Sequence, residues 1–287
     1  MDKIWTGERM ETFVFKDSTV EHLHRYAFCF EHIKTKIVLD IASGEGYGSD
    51  LLSQYAEKVI GVDIDEKSIA NAKLKYERKN LEFRVGQADK IPVADDSIDV
   101  VVSFETLEHH DKHDEMFKEI NRILKSNGIL IISTPEKKVY SDERNHTNPF
   151  HIKELYEEEF VELVKKHFTY TQFYGQSIIK GSLIIPSEKR PLEVELINGT
   201  FDNINKDINL ASKYIIAIAS KHPLQLNNSF SFFDGNDYSQ LEQEQLVNNA
   251  IISEREKTTE WLMNSWNFKI GQFILSPFRG LKKAFNK

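Results

Sequence analysis

Seven residues, "FETLEHH" from Phe104 to His110, hold two carboxylates and two imidazoles. Glu105, Glu108 and His109 stand at i, i+3 and i+4, so one helical turn would put all three on one face. Further on, "NHTNPFHIKELYEEEF" adds His146 and His151, the latter expected just before a helix. Such a set can do two kinds of chemistry. It can take the proton from a weakly acidic group such as a sugar hydroxyl. It can also hold a hard-to-borderline divalent ion (Mg²⁺, Mn²⁺ or Fe²⁺) that acidifies a bound hydroxyl. Plainer roles exist too: ordering a loop, or a solvated charged face near a helix start.

These residues need elements to position them. The acid–histidine run follows "IDVVVSF", a short apolar run rich in β-branched residues that reads as a buried strand. "KIVLDIA", "KVIGVDI", "LEFRVG" and "ILIIST" read the same way, as do "TYTQFYG" and "KYIIAIAS" later in the chain. Helical patterns alternate with them: "DLLSQYA", "EKSIANAKLKYER", "HDEMFKEINRIL", closed by Asn127-Gly128, and "HIKELYEEEFVELVKKHF". Alternation of this kind predicts an α/β fold, a parallel sheet with helices on both faces. Residues 1 to about 36 read as helical after an irregular start, with Val20, Leu23, Ala27, Phe30 and Ile33 as an apolar face.

Between the first strand and its helix, "SGEGYGS" places Gly44, Gly46 and Gly48 in a tight turn. Without Cβ atoms such a turn lets a ligand approach the backbone closely. About 20 residues on, the second strand ends in Asp63, an acid able to accept from both hydroxyls of a ribose. The spacing is not G-x-G-x-x-G, which disfavours a dinucleotide-binding dehydrogenase.

In these motifs, taken in order, residues 1 to about 220 resemble the class I S-adenosylmethionine (SAM) methyltransferases. The resemblance implies a Rossmann-like, seven-stranded, mostly parallel sheet. It implies SAM as cofactor, held by Asp40, Ala42, Gly44, Gly46, Asp63, Ile64, Gln87, Ala88 and Ser103. Ala42 stands where many members have glycine. Gln87 stands where many have aspartate, and its carbonyl could still accept from the adenine amino group. Arg25, on the first helix, is a further SAM contact by resemblance, paired with the methionine carboxylate; a surface or packing role is the alternative.

"FETLEHH" with the later histidine is similar to the E-x-x-E-H motif of small-RNA 2′-O-methyltransferases, and ubiquinone-pathway O-methyltransferases show a similar run. That likeness implies a divalent cation held by Glu105, Glu108, His109 and His151, gripping two vicinal hydroxyls. Metal-free acid/base catalysis stays open beside it. His109, His110 and His146 are the catalytic candidates, the last two as general base. His22, His24 and His32 read as ordinary helix residues, and His167 and His222 as surface residues.

The segments "WTGERM" and "NPFHIKEL" resemble bacterial methyltransferases of cell-surface polysaccharide synthesis. The implied substrate is a hydroxyl of a sugar, nucleotide-sugar or glycan of O-antigen or capsule type. A quinone-type or other small-molecule O-methyltransferase without metal is the rival, and an inactive SAM-binding scaffold in a glycan-assembly complex is a third reading.

Composition narrows the partners. The net charge is −8, which speaks against nucleic acid. One cysteine, Cys29, excludes an internal disulfide. The N-terminus lacks a secretory pattern and no apolar run spans a bilayer, so a cytoplasmic location is expected. The charge is uneven: from Ser265 onward there are five basic residues and no acid, against 32 basic and 45 acidic residues before it. This gives a domain at 1–221, with 177–212 as an insertion, then 222–287 as linker, long helix and basic amphipathic tail. The tail, 265–287, suits either the inner face of an anionic membrane or a protein surface. The helix over 239–264 is a candidate for homo-oligomer contact but lacks clean heptads.

Overall fold

A computed structural model describes residues 17–179, 197–199, 204–206, 211–224, 231–266 and 269–270. Helix α1 (Asp17–Ile33) leads into β1 (Ile37–Ile41), α2 (Tyr47–Ser53), β2 (Lys58–Asp63), α3 (Glu66–Lys75) and β3 (Leu81–Val85). Then come β4 (Ile98–Phe104), α4 (His113–Ile123), β5 (Leu124–Pro135), α5 (Glu157–His167), β6 (Tyr170–Gln176), the short pair β7 (Ile197–Gly199) and β8 (Ile204–Lys206), β9 (Tyr214–Ser220) and α6 (Asn236–Asn264). Seven strands form one sheet in the order β3-β2-β1-β4-β5-β9-β6. The first five pair in parallel, and β9 runs antiparallel between β5 and β6. The expected α/β sheet is present.

Side chains alternate across each strand, and the core divides accordingly. Leu39, Ile41, Val101, Leu130 and Ile132 face one side, against Met116, Phe117 and Ile120 of α4 and Phe160 and Val164 of α5. Val38, Val59, Val100, Val102 and Ile131 face the other, against Tyr26, Cys29 and Ile33 of α1 and Leu52 of α2. On α4 the buried positions 113, 116, 117, 120 and 123 follow the helical period. Removing one such side chain, as in Phe117→Ala, costs about 3–5 kcal/mol in a packed core.

Several boundaries differ from the sequence expectation. Asn127-Gly128 does not end α4, which stops at Ile123; both residues lie inside β5, whose first residue already pairs with Ile98. His151 lies outside the helix expected over 151–168, since α5 begins only at Glu157, where the Tyr156 amide donates to Glu159 Oε2 in a capping box. Residues 222–224 and 231–234 return to the body: His24 Nε2 and Ser231 Oγ lie 2.8 Å apart, and Leu224 packs on the α1 face of the sheet. The chain accordingly divides into units 1–234 and 235–287.

Within the second unit, α6 has no buried residue, and its apolar side chains gather on no single stripe. Most of the expected tail 265–287 and most of the expected insertion 177–212 lie outside the described residues, β7 and β8 excepted. Among the described residues no helix is long and apolar enough to cross a membrane.

Candidate active site

The C-terminal ends of β1, β2 and β4 open into a cavity of about 450 Å³, within the size range of small-ligand sites. The glycine turn forms one wall. Gly44 and Gly46 both have left-handed backbones, φ 54° and 91°. At Gly46 a Cβ would meet the Phe83 ring at 2.8 Å and the Ala72 Cβ at 2.9 Å, so only glycine fits. Asp63 fastens the turn: its Oδ2 accepts from the Gly44 amide at 2.8 Å and its Oδ1 from the Asp65 amide at 2.9 Å. Ala42, Gly44, Asp63, Ile64, Gln87 and Ala88 all line the cavity. Bare backbone on one side and an acid on the other fit an adenosine-bearing ligand.

Four expected SAM contacts stand behind this wall. Gly46 only shapes the turn, and Ser103 is buried, its hydroxyl donating to Thr106 Oγ1 at 3.1 Å. Asp40 is buried and accepts from Ser49 Oγ at 2.7 Å and Tyr26 Oη at 3.4 Å. It ties α1 and α2 to the sheet. Burial pushes its carboxyl up to about 7 although both hydroxyls favour the charged form. Arg25 is no surface residue. It is fully buried, donates to Gln176 Oε1 at 2.8 Å, lies 4.6 Å from the Tyr214 ring centre and approaches Glu105 Oε1 to 3.9 Å.

The acid–histidine run does not form the expected single helical face. Phe104 ends β4, and Glu105 turns the chain with φ 52° before a 3₁₀ turn at Leu107–His109. Glu105 is thereby aimed at β5, where Ser133 Oγ donates to its Oε1 at 2.7 Å. Next on the strand, Thr134 Oγ1 donates to Glu108 Oε2 at 3.3 Å. Glu108 is 1% exposed. Burial, then the neighbouring Glu105, drive its carboxyl well above the usual range.

The Glu108 carbonyl accepts from the amides of Ile152 and Lys153 at 2.7 and 3.1 Å. These bonds stitch the loop after β5 onto the 3₁₀ turn and bring His151 to His109, ring centres 5.2 Å apart. Ligand atoms of Glu108, His109 and His151 lie within 4.8 Å of one another. Glu105 is outside this group. His109 also lines the cavity, as do Phe150 and Ile152 on either side of His151. Each ring has one nitrogen held by an acceptor, an arrangement that in metal sites orients the other nitrogen toward the ion. His109 Nδ1 donates to the Phe150 carbonyl at 3.0 Å and His151 Nδ1 donates to Glu154 Oε1 at 2.5 Å, so on both rings Nε2 carries the lone pair.

The other histidines separate clearly. His110 lines the cavity with both ring nitrogens buried and unpartnered. Burial and the adjacent His113 lower its pKa, which keeps it neutral. His146 is exposed and does not line the cavity; its ring centre lies 6.0 Å from that of Tyr140, which stacks on His151. His22 does more than occupy a helix: it lines the cavity, its Nδ1 2.9 Å from Tyr47 Oη. His167 is packed on Phe117, ring centres 5.0 Å apart, rather than standing free on the surface. Sequence reasoning missed Ser133, Thr134, Asn148 and Glu154. Only Glu154 had a signal, its i+3 spacing from His151.

Residues 39–132 match the family described as "Methyltransferase domain". A "Probable S-adenosylmethionine-dependent methyltransferase" of Mycolicibacterium smegmatis is 38% identical over 129 residues, covering 45% of this chain and 49% of that protein. The ubiquinone biosynthesis O-methyltransferase of Pelagibacter ubique is 31% identical over 110 residues, covering 38% and 46%. The chain thus spans about half the length of the curated relatives it matches. A SAM-dependent methyltransferase structure from Thermotoga maritima shares the fold, with TM-score 0.52 and 20% identity over 71% of this chain and 90% of that one. Residues 39–132 are thus similar to methyltransferase domains, and the sheet has the Rossmann-like fold of the solved SAM-dependent methyltransferase from Thermotoga maritima.

Proposed function

We propose that the protein is a SAM-dependent O-methyltransferase that uses a divalent cation to methylate one hydroxyl of a vicinal diol on a sugar, nucleotide-sugar or surface glycan. The observation that carries this reading is the convergence of Glu108, His109 and His151 beside the cavity. Glu105 has Arg25 within 3.9 Å and Glu21 has Lys213, but among the described residues buried Glu108 makes no ion pair: it accepts from the Thr134 hydroxyl and from backbone, with Arg25 acting on it only from beyond ion-pair distance. A buried acid without an ion-pair partner calls for a cation or a proton.

Glu108, His109 and His151 would hold the ion, with Glu105 the nearest further carboxylate. When bound, the ion supplies a lowered hydroxyl pKa and a fixed diol orientation. The glycine turn and Asp63 hold the nucleoside of SAM and set the direction of its methyl group. The substrate oxygen attacks the methyl carbon, the carbon–sulfur bond breaks, and its electron pair leaves a neutral thioether. His110 is neutral and unpartnered at the cavity wall, and one of its ring nitrogens takes the hydroxyl proton.

A quinone-type phenol is the second reading. Ile152, at the cavity wall, is 68% exposed, an apolar edge that suits an aromatic acceptor. Methyl transfer from labelled SAM to a panel of nucleotide sugars and catechols tests the pair. Label on a sugar supports the first reading. Label on catechols alone, undiminished by chelator, overturns it. The basic tail suits a lipid-linked acceptor at the inner membrane surface or a homo-oligomer contact, and vesicle flotation with 265–287 deleted checks the membrane arm.

A further inference from the structure

His151 is satisfied at both ring nitrogens in this structure, and the two partners have opposite meanings for metal binding. Nδ1 donates to Glu154 Oε1 at 2.5 Å, with both side chains under one-tenth exposed (7% and 8%). A carboxylate only accepts when ionised, so the ring proton is on Nδ1 and the lone pair on Nε2. That lone pair faces the Asn148 amide nitrogen at 2.9 Å. The amide cannot be turned the other way without loss, because Asn148 Oδ1 already accepts from the Phe150 amide at 3.0 Å. Tyr140 stacks on the ring, centres 5.4 Å apart and 26° between planes, and limits its tilt.

The geometry points to a two-part latch on His151, an inference that rests on the metal reading proposed above. Glu154 is a positioning residue: by holding Nδ1 it fixes the ring's rotation and the tautomer that leaves the Nε2 lone pair for an ion, and it raises the basicity of the ring. Asn148 is the competing partner: its amide holds Nε2 while no ion is present and must be displaced when one binds. Glu154 thus favours the ion and Asn148 opposes it. The loop keeps a buried lone pair satisfied in the metal-free protein, at some loss of affinity.

The test is calorimetric titration of Mn²⁺ into metal-stripped full-length protein, wild type against Glu154→Gln and Asn148→Ser. Serine still caps the Phe150 amide but cannot reach Nε2. Glu154→Gln is expected to bind roughly 10–100-fold more weakly, and Asn148→Ser roughly two- to ten-fold more tightly. A disrupted loop would weaken both variants, so opposite signs exclude a merely structural effect. Wild type that takes up no Mn²⁺ overturns the metal site and the latch with it. Wild type that binds, with Glu154→Gln equal to it or Asn148→Ser weaker than it, overturns the latch alone.

Discussion

The two halves of the site are built differently. The cofactor half is mostly backbone: a glycine turn, strand ends and the Asp63 brace, all within residues 39–89. The acid–histidine half is made of side chains from three distant segments, Glu105–His110, Ser133–Thr134 and Asn148–Glu154. Backbone fixed by parallel strands keeps its shape whether or not a ligand is present. A cluster of buried acids depends on the charges that meet it. The first half is therefore a preformed cradle, and on the reading proposed above the second would be completed by an ion.

Changes in the acid–histidine half should break catalysis and spare the cradle. Glu108→Ala is expected to lower turnover at least about 1000-fold, from loss of an ion ligand, while SAM affinity by calorimetry stays within about two-fold of wild type. Comparable losses in both would show the halves are one unit. His110→Ala should reduce kcat by roughly 100-fold or more with little change in SAM affinity; a wild-type kcat would remove it as the base.

Changes in the cradle should do the reverse. Gly46→Ala puts a Cβ into the Phe83 ring at φ 91°. Moving the turn is expected to weaken SAM binding about ten-fold or more and to lower stability by about 1–3 kcal/mol, with Mn²⁺ affinity intact. Loss of Mn²⁺ binding in this variant would contradict the separation.

The smallest effect is a pH effect behind the cradle. Asp40 has its folded value raised from 3.8 to about 7, because burial outweighs its two hydrogen bonds. The stability it contributes is complete below the unfolded value and is lost as pH rises through the folded one. Between pH 5 and 8 the wild type should therefore lose on the order of 2 kcal/mol relative to Asp40→Asn, seen as converging or crossing melting curves. Parallel curves would mean that Asp40 is ionised throughout.

The same contrast explains what the sequence revealed. The cradle was legible because its parts are local: Asp40, Gly44, Gly46 and Asp63 lie in one βαβ stretch and follow its period. The cluster was legible in residue type but not in geometry. Glu105 falls out of the helical face because its backbone is left-handed, which no spacing announces. Its partners Ser133 and Arg25 come from 28 residues later and from α1. Arg25 finds Gln176 across 151 residues, and only the assembled sheet shows it. The place of β9 between β5 and β6 was likewise not readable, since strand patterns do not state their neighbours.

The most direct test of the central claim is turnover of the intact protein on a vicinal-diol sugar in chelator, followed by return of Mn²⁺. Turnover should fall to background in chelator and recover with the ion, while SAM binding is unchanged throughout. Full turnover in chelator would contradict the account and leave His110 and the two glutamates as a metal-free acid/base site.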